Sequence, residues 1–297
     1  MRKIRRCEIA NKDMIEILIE NSESQSVKKL INNNNLKFLN YFYRKYERHI
    51  ALGTIDNIIA WKSNKYHDIT KEDLLRYYQI IRDNNKIRPL IYDEIMAQNP
   101  TCPICNVSTA TTLDHYLPKE NYSWFSILPM NLIPLCANCN NKKGENLKNE
   151  LYFHPYFHDV SNLIFVNCKL DESSENLNKP LKFIYYITNK KQDNNLHIDP
   201  QNYKLILISE SVYKLTKIYK INSLNFLSEY IYDIYEKFNV SEKEKIKNYL
   251  TDEISNLKGK PKWSSWKVEL LLTLRNSEWF LNVYLENLKD NYRNIYS

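Results

Sequence analysis

The chain has 297 residues, 43% of them hydrophobic and 26% charged, enough to bury a core and ordinary for a folded protein. Lysine and arginine exceed aspartate and glutamate by 42 to 35, a net +7 that permits a polyanionic partner but is equally met in a mildly basic solvated surface. Only three glycines occur (Gly53, Gly144, Gly259) and neither G-x-x-x-x-G-K-[ST] nor G-x-G-x-x-G is present, which argues against ATP hydrolysis by this chain itself.

The opening MRKIRRCEIANKD is basic without a following apolar core, so it does not read as a signal peptide, and no apolar run reaches membrane-spanning length. A cytoplasmic protein with no membrane partner is expected. The helical pattern begins with Met14, Ile15, Ile17 and Leu18 behind a candidate N-cap at Asn11. Asn32 to Asn35 reads as a loop or as compositional bias. Leu36, Leu39, Phe42, Tyr43 and Tyr46 then repeat at the spacing of a buried helix face. Thr70 and Asp73 form a capping box ahead of a helix from Leu74 to Ile81, and Pro89 suits the first turn of another through Ile91, Ile95 and Met96.

After the knuckle stretch come two strand-like runs, Leu163–Val166 and Leu181–Thr188, separated by the polar segment 171–180. From about Ser209 the pattern is helical again: Val212, Leu215, Ile218 and Tyr219 form one stripe, and Leu227, Tyr230, Ile231 and Ile234 another. Ser241 and Glu244 offer a second capping box, Gly259 with Pro261 a stop, and Trp263, Trp266, Leu270, Leu271 and Leu274 a last helix. The 23 tyrosines are expected mostly on helical apolar faces, with hydroxyls at the rim. The expected architecture is mainly α with a small α+β insert. It comprises a helical region at 1–98, a knuckle module at 99–158, and short strands followed by helices at 159–297.

Chemistry concentrates between Cys102 and Gly144. Of six cysteines, four form two Cys-x-x-Cys pairs, Cys102/Cys105 and Cys136/Cys139, a ligand set for one tetrahedral Zn²⁺. Such a closed site is structural, replacing a core that a short module cannot build. Cys7 and Cys168 stand alone and read as ordinary thiols. Between the pairs, Thr111–Leu113 predicts a strand ending at Asp114-His115, Ile133–Leu135 a partner strand, and Cys136–Asn146 a short helix. Asp114 and Asn140 supply hard oxygens suited to Mg²⁺ or Mn²⁺, and His115 suits a general base near neutral pH.

With these residues, CPIC…LDHYLPK…NLIPLCANCNNKKG resembles the HNH, or ββα-metal, endonuclease family in its zinc-knuckle form, with the Asp-His…Asn…Asn variant of endonuclease VII-like members. The resemblance covers about 102 to 144. It implies that Asp114 and Asn140 hold the catalytic metal, that His115 activates the attacking water, and that Asn131 braces the loop and orients His115. Phosphodiester hydrolysis of DNA leaving 5′-phosphate and 3′-hydroxyl ends follows from it. By analogy it also implies an effector of bacterial anti-phage or mobile-element systems working beside an ATPase or another defence-complex subunit.

Plainer readings stay open at this stage: Asn131 as a turn cap, Asn140 as a helix N-cap with Asn141 the register alternative, and Lys119, Lys142 and Lys143 as phosphate contacts or a solvated face. His154 and His158 flank Pro155 and read as packing, with support of the site as the lesser role. Two rivals remain, a non-catalytic zinc ribbon binding nucleic acid or protein, and an RNA-cleaving enzyme of the same fold.

Overall fold

A computed structural model describes residues 1–54, 65–66, 68–146, 150–160, 163–173, 179–188, 198–260, 264–288 and 295, with only the backbone at 65, 66, 145 and 146. The chain divides into two compact units, Met1–Asp159 and Val160–Ser297. The described residues are mostly helical, with small two-stranded antiparallel sheets. None of their helices is long and apolar enough to cross a membrane.

The first unit opens with α1 (Asn11–Asn21), the short α2 (Gln25–Lys28) and α3 (Asn33–Leu52). Ala10, not Asn11, is the N-cap of α1, its N–H bonded to the Asp13 carboxylate at 3.3 Å. The asparagine run is not a loop: Asn32 caps α3 by accepting from Asn34 N–H at 2.9 Å, and Asn33–Asn35 form its first turn. Asparagine is a strong N-cap because its side-chain oxygen replaces a missing helical acceptor, which composition alone does not reveal. Gly53 ends α3 in the left-handed region at φ 73°, a conformation that costs only a residue with a Cβ. The ribbon β1 (Lys65–Tyr66) and β2 (Ile69–Thr70) leads into α4 (Lys71–Asp83). There the expected capping box is present, with Thr70 Oγ1 accepting from Asp73 N–H at 3.2 Å and Thr70 N–H donating to Asp73 at 3.0 Å. Pro89 begins a wide turn, Pro89–Asp93, that continues into α5 (Glu94–Gln98).

Next come β3 (Thr112–His115) and β4 (Leu132–Leu135), paired antiparallel from Thr112↔Leu135 to His115↔Leu132, then α6 (Ala137–Asn146). Pro134 is tolerated in β4 because a two-stranded ribbon leaves one edge free of ladder bonds. The turn Ser123–Phe125 packs against both α3 and α4. Trp124 stacks on Phe42 with ring centroids 5.5 Å apart, and Phe125 lies 5.0 Å from Tyr46.

The tyrosines fill this core as expected, but several hydroxyls lie inside it rather than at its rim. Tyr78 donates to the Leu113 carbonyl at 3.2 Å, Tyr156 to that of Leu132 at 3.1 Å, and Tyr116 and Tyr152 to each other's carbonyls at 2.7 and 2.6 Å. A short ribbon followed by an irregular loop leaves buried carbonyls without ladder partners, and long side chains with a terminal O–H satisfy them.

The second unit pairs β5 (Val166–Leu170) with β6 (Phe183–Ile187). β5 therefore begins where the first strand-like run was expected to end. Part of the loop between them, 174–178, lies outside the described residues. α7 (Pro200–Tyr213) begins nine residues before the expected Ser209, with Asp199 accepting from Gln201 and Asn202 N–H at 3.0 Å each.

The Val212–Tyr219 stripe is not one helix. Lys214 sits at φ 53° and breaks it, so Leu215 starts α8 (Leu215–Lys237). α9 (Lys243–Gly259) is entered through Glu242, not a Ser241 capping box, because Ser241 instead donates to Asn239 at 2.9 Å in the preceding turn. It ends at Gly259 as expected. Pro261 and Trp263 lie outside the described residues. α10 (Ser265–Asn276) packs on β5, and Trp266 stacks on Tyr219 of α8 at 5.5 Å. The short α11 (Leu285–Leu288) completes the described helices.

Candidate functional site

The two knuckles meet in the first unit. The first is a tight loop in which Cys102 N–H bonds the Ser108 carbonyl at 2.9 Å and Asn106 N–H the Cys102 carbonyl at 3.0 Å. Asn106 takes the left-handed conformation at φ 54°, which asparagine tolerates better than most residues. The second places Cys136 directly before α6 and Cys139 in its first turn. Cys136 Sγ accepts from Cys139 N–H at 3.4 Å, so the sulfur also caps the helix.

All four sulfurs are buried, lie within 4.8 Å of one another and form no disulfide. A tetrahedral zinc with bonds of about 2.3 Å needs sulfurs roughly 3.8 Å apart. The Cys105–Cys136 separation is 3.9 Å, so the cluster fits such an ion. Burial pushes the Cys102 thiol up and the contact with Cys102 pushes Cys139 up, while hydrogen bonds from neighbouring thiols hold Cys105 low and bring Cys136 to about 7. The N-terminal residues lie across the first knuckle, Arg2 N–H bonding the Pro103 carbonyl at 2.8 Å and its guanidinium the Thr101 carbonyl at 2.9 Å.

Strand alternation separates Asp114 from His115, the first half-buried toward α6 and the second buried on the opposite face. On the α6 side, Asn140 Nδ2 donates to Thr112 Oγ1 at 3.2 Å, and Lys143, one turn on, bonds the Asp114 carboxylate and the His115 carbonyl. Asp114 and Asn140 therefore share one face. Lys143 is 5% exposed, so the solvated-face reading does not hold for it; its ammonium is spent on these two oxygens. Asn140 lies inside α6 rather than at its N-cap, because Cys136 occupies that role, and Asn141 is exposed. Lys119 pairs with Glu120 at 2.6 Å, and Lys142 is half-buried.

His115 is 5% exposed, its ring edge-on to Tyr78 at 4.3 Å. Nε2 lies 2.9 Å from the Ser126 carbonyl and can only donate there, which leaves the lone pair on Nδ1. Burial lowers its pKa to about 4 against the Ser126 carbonyl and Asp114, so the ring is neutral at pH 7 but a weaker base than the near-neutral one its sequence context suggests, because the fold removes it from water.

Asn131 is fully buried. Its Oδ1 accepts from Leu117 N–H at 2.8 Å and Tyr46 O–H at 3.0 Å, and its Nδ2 donates to the Leu117 and Phe125 carbonyls at 3.1 and 3.0 Å. That set braces the loop over His115 rather than capping a turn. Sequence reasoning missed Tyr46, Tyr78 and Ser126, which carry no motif, and left His154 as packing. His154 is fully buried, with Nε2 3.0 Å from Tyr46 Oη. Nothing short of the tertiary contacts would have singled out Tyr46 among 23 tyrosines.

No family model matches the chain, and no solved structure matches it. A curated protein, "Protein ea31" of Escherichia phage lambda, is 34% identical over 96 residues, 30% of this chain and 32% of that protein. The chain thus matches about a third of the length of that relative.

Proposed function

We propose that the chain is a metal-dependent HNH-type endonuclease that hydrolyses phosphodiester bonds, with DNA the favoured substrate. The observation that carries this reading is the β3–β4–α6 unit, stapled by four cysteines, with Asp114 and Asn140 facing each other between ribbon and helix and the neutral His115, its Nε2 already committed, next along the strand on the other face. Asp114 and the His115 carbonyl already accept one cation, the Lys143 ammonium, so the local donor set suits a hard positive ion.

Asp114 and Asn140 would hold Mg²⁺ or Mn²⁺ there, with Lys143 withdrawing from the carboxylate. The ion, when bound, supplies Lewis-acid polarisation of the scissile phosphate and offsets charge on the departing 3′ oxygen. His115 would take the proton of the attacking water at Nδ1, the nitrogen whose lone pair the Ser126 contact leaves free. Asn131 holds the loop that presents this carbonyl. Lys119 and Lys142, and Lys143 once released, are placed by sequence beside these residues to meet the phosphate backbone.

The cellular setting we propose is a cytoplasmic effector of anti-phage or mobile-element systems, with an ATPase or defence-complex subunit supplying the nucleotide chemistry that a chain without a phosphate-cradling loop lacks. The phage origin of the relative described above fits the mobile-element side of this reading. Plasmid incubated with the wild-type chain should be nicked or cut with Mg²⁺, not with EDTA, and not by His115→Ala. Equal cutting by His115→Ala would defeat the assignment, and a side-by-side digest of RNA would separate the two substrates. A second reading, a non-catalytic zinc ribbon, draws on the Lys143–Asp114 pair itself, which would then be a permanent internal ion pair.

A further inference from the structure

Three polar side chains from distant parts of the first unit meet in a fully buried chain: His154, Tyr46 on α3, and Asn131. Burying such groups is unfavourable unless they satisfy one another, and here they do so in a single direction. His154 Nδ1 accepts from Tyr156 N–H at 3.3 Å, so a neutral ring carries its proton on Nε2, and burial keeps that ring neutral. Nε2–H then faces Tyr46 Oη at 3.0 Å and shares the Met130 carbonyl as acceptor, and Tyr46 donates to Asn131 Oδ1 at 3.0 Å, with the same Met130 carbonyl a longer alternative at 3.4 Å.

This order of protons leaves Asn131 one orientation. Its oxygen faces two donors, Leu117 N–H and Tyr46 O–H, and its amide nitrogen faces two carbonyls, Leu117 and Phe125. A flipped carboxamide would set N–H against N–H at Leu117. Phe125 immediately precedes Ser126, whose carbonyl takes the His115 Nε2 proton and whose hydroxyl bonds the Leu74 carbonyl at 2.8 Å. On the other side, the His154 ring lies 4.1 Å from that of Tyr116, the residue following His115.

Resting on the endonuclease reading above, we infer that Tyr46 and His154 are positioning residues for His115, acting through Asn131 and the 116–126 loop to keep its proton on Nε2 and its lone pair on Nδ1. A purely space-filling role would need neither hydroxyl nor imidazole, since phenylalanine and leucine fill a core without polar atoms.

The test uses the full zinc-loaded chain, labelled with ¹⁵N at its six histidines. Long-range ¹H–¹⁵N correlation should report a single Nε2-protonated form of His115 in the wild type. Tyr46→Phe should give a mixed or exchange-broadened pattern, with kcat for plasmid nicking down roughly tenfold to a hundredfold at unchanged KM and zinc content. His154→Gln, whose amide can still donate to Tyr46, should recover most of the kcat that His154→Ala loses. An unchanged His115 pattern and kcat in Tyr46→Phe overturn the inference, whatever its melting temperature. If Tyr46→Phe fails to fold, the His154→Gln and His154→Ala pair decides by the same two readouts, and equal kcat values in that pair also overturn it. A wild type that cuts nothing while Tyr46→Phe still shifts the His115 tautomer would remove the nuclease reading and leave the positioning intact. A wild type that cuts beside an indistinguishable Tyr46→Phe would do the reverse.

Discussion

The four-cysteine cluster and the Asp114–Asn140 face lie on the same ribbon and helix, yet they are built on opposite terms. The cluster is closed: four buried sulfurs from two short turns surround one point and leave no position for substrate. The other site is mixed in chemistry, with a half-buried carboxylate, a carboxamide held by Thr112, and a lysine of the protein's own supplying the positive charge. The difference teaches a division of labour. One arrangement has the features of a fold-holding site, and the other pairs a half-buried carboxylate with a lysine, a charge that an incoming metal would have to displace.

Breaking the cluster should have the largest effect. Structural zinc contributes apparent binding energy on the order of 10–16 kcal/mol in small modules, and here it would tie two turns whose facing cysteines, Cys105 and Cys136, are 31 residues apart. Cys102→Ser, or strong chelation, should therefore release one metal per chain and unfold the first unit, read by metal analysis and circular dichroism. A Cys102→Ser chain that keeps both its metal and its melting transition would end the structural-zinc reading.

The Asp114–Asn140 face sharpens the comparison through an asymmetry. Asp114→Ala leaves the buried Lys143 ammonium uncompensated, which should cost about 3–5 kcal/mol in urea unfolding. Lys143→Met leaves a partly solvated carboxylate instead, so the cost should stay within about 1 kcal/mol. The same Lys143→Met chain should bind Mn²⁺ more tightly than the wild type in an EPR titration, because the carboxylate no longer holds a competing cation. Unchanged or weaker Mn²⁺ binding would favour the permanent ion pair of the zinc-ribbon reading.

The last test concerns pH. Burial lowers His154 well below its ordinary value and His115 and His158 each to about 4, so all three are neutral in the fold. In the unfolded chain they bind protons below about 6.5. Between those values the unfolded state carries more protons, so stability falls as the pH drops from about 6.5 toward 4 and is flat above 7. Each such proton contributes a slope of up to about 1.4 kcal/mol per pH unit. Urea midpoints at pH 7.5 and 5.5, with zinc content followed in parallel, should show this slope, and His154→Gln should reduce it.

Much of the site was legible because its signals are local. The Cys-x-x-Cys spacing brings two sulfurs to one turn, the Thr70–Asp73 box closes within four residues, and the strand after Thr111 is bounded by Pro118. Where local signals competed, they misled. Ser241 and Glu244 match a capping box, but Ser241 was captured by Asn239, and the stripe through Val212 and Tyr219 hides the left-handed turn at Lys214. A repeat of apolar residues records which face is buried, not whether the backbone beneath it is continuous.

The amino-acid sequence by itself determined the ligand set of the cluster, the ribbon–helix order around Asp114, His115 and Asn140, and the helical character of both flanks, since each follows from contacts a few residues apart. Tertiary structure alone decided that Lys143 neutralises Asp114, 29 residues away, and that Tyr46 and His154 meet, 108 residues apart, beside Asn131. Those partners carry no local pattern. A buried polar group must be satisfied by whatever donor or acceptor the fold delivers, and the identity of that partner is a property of packing.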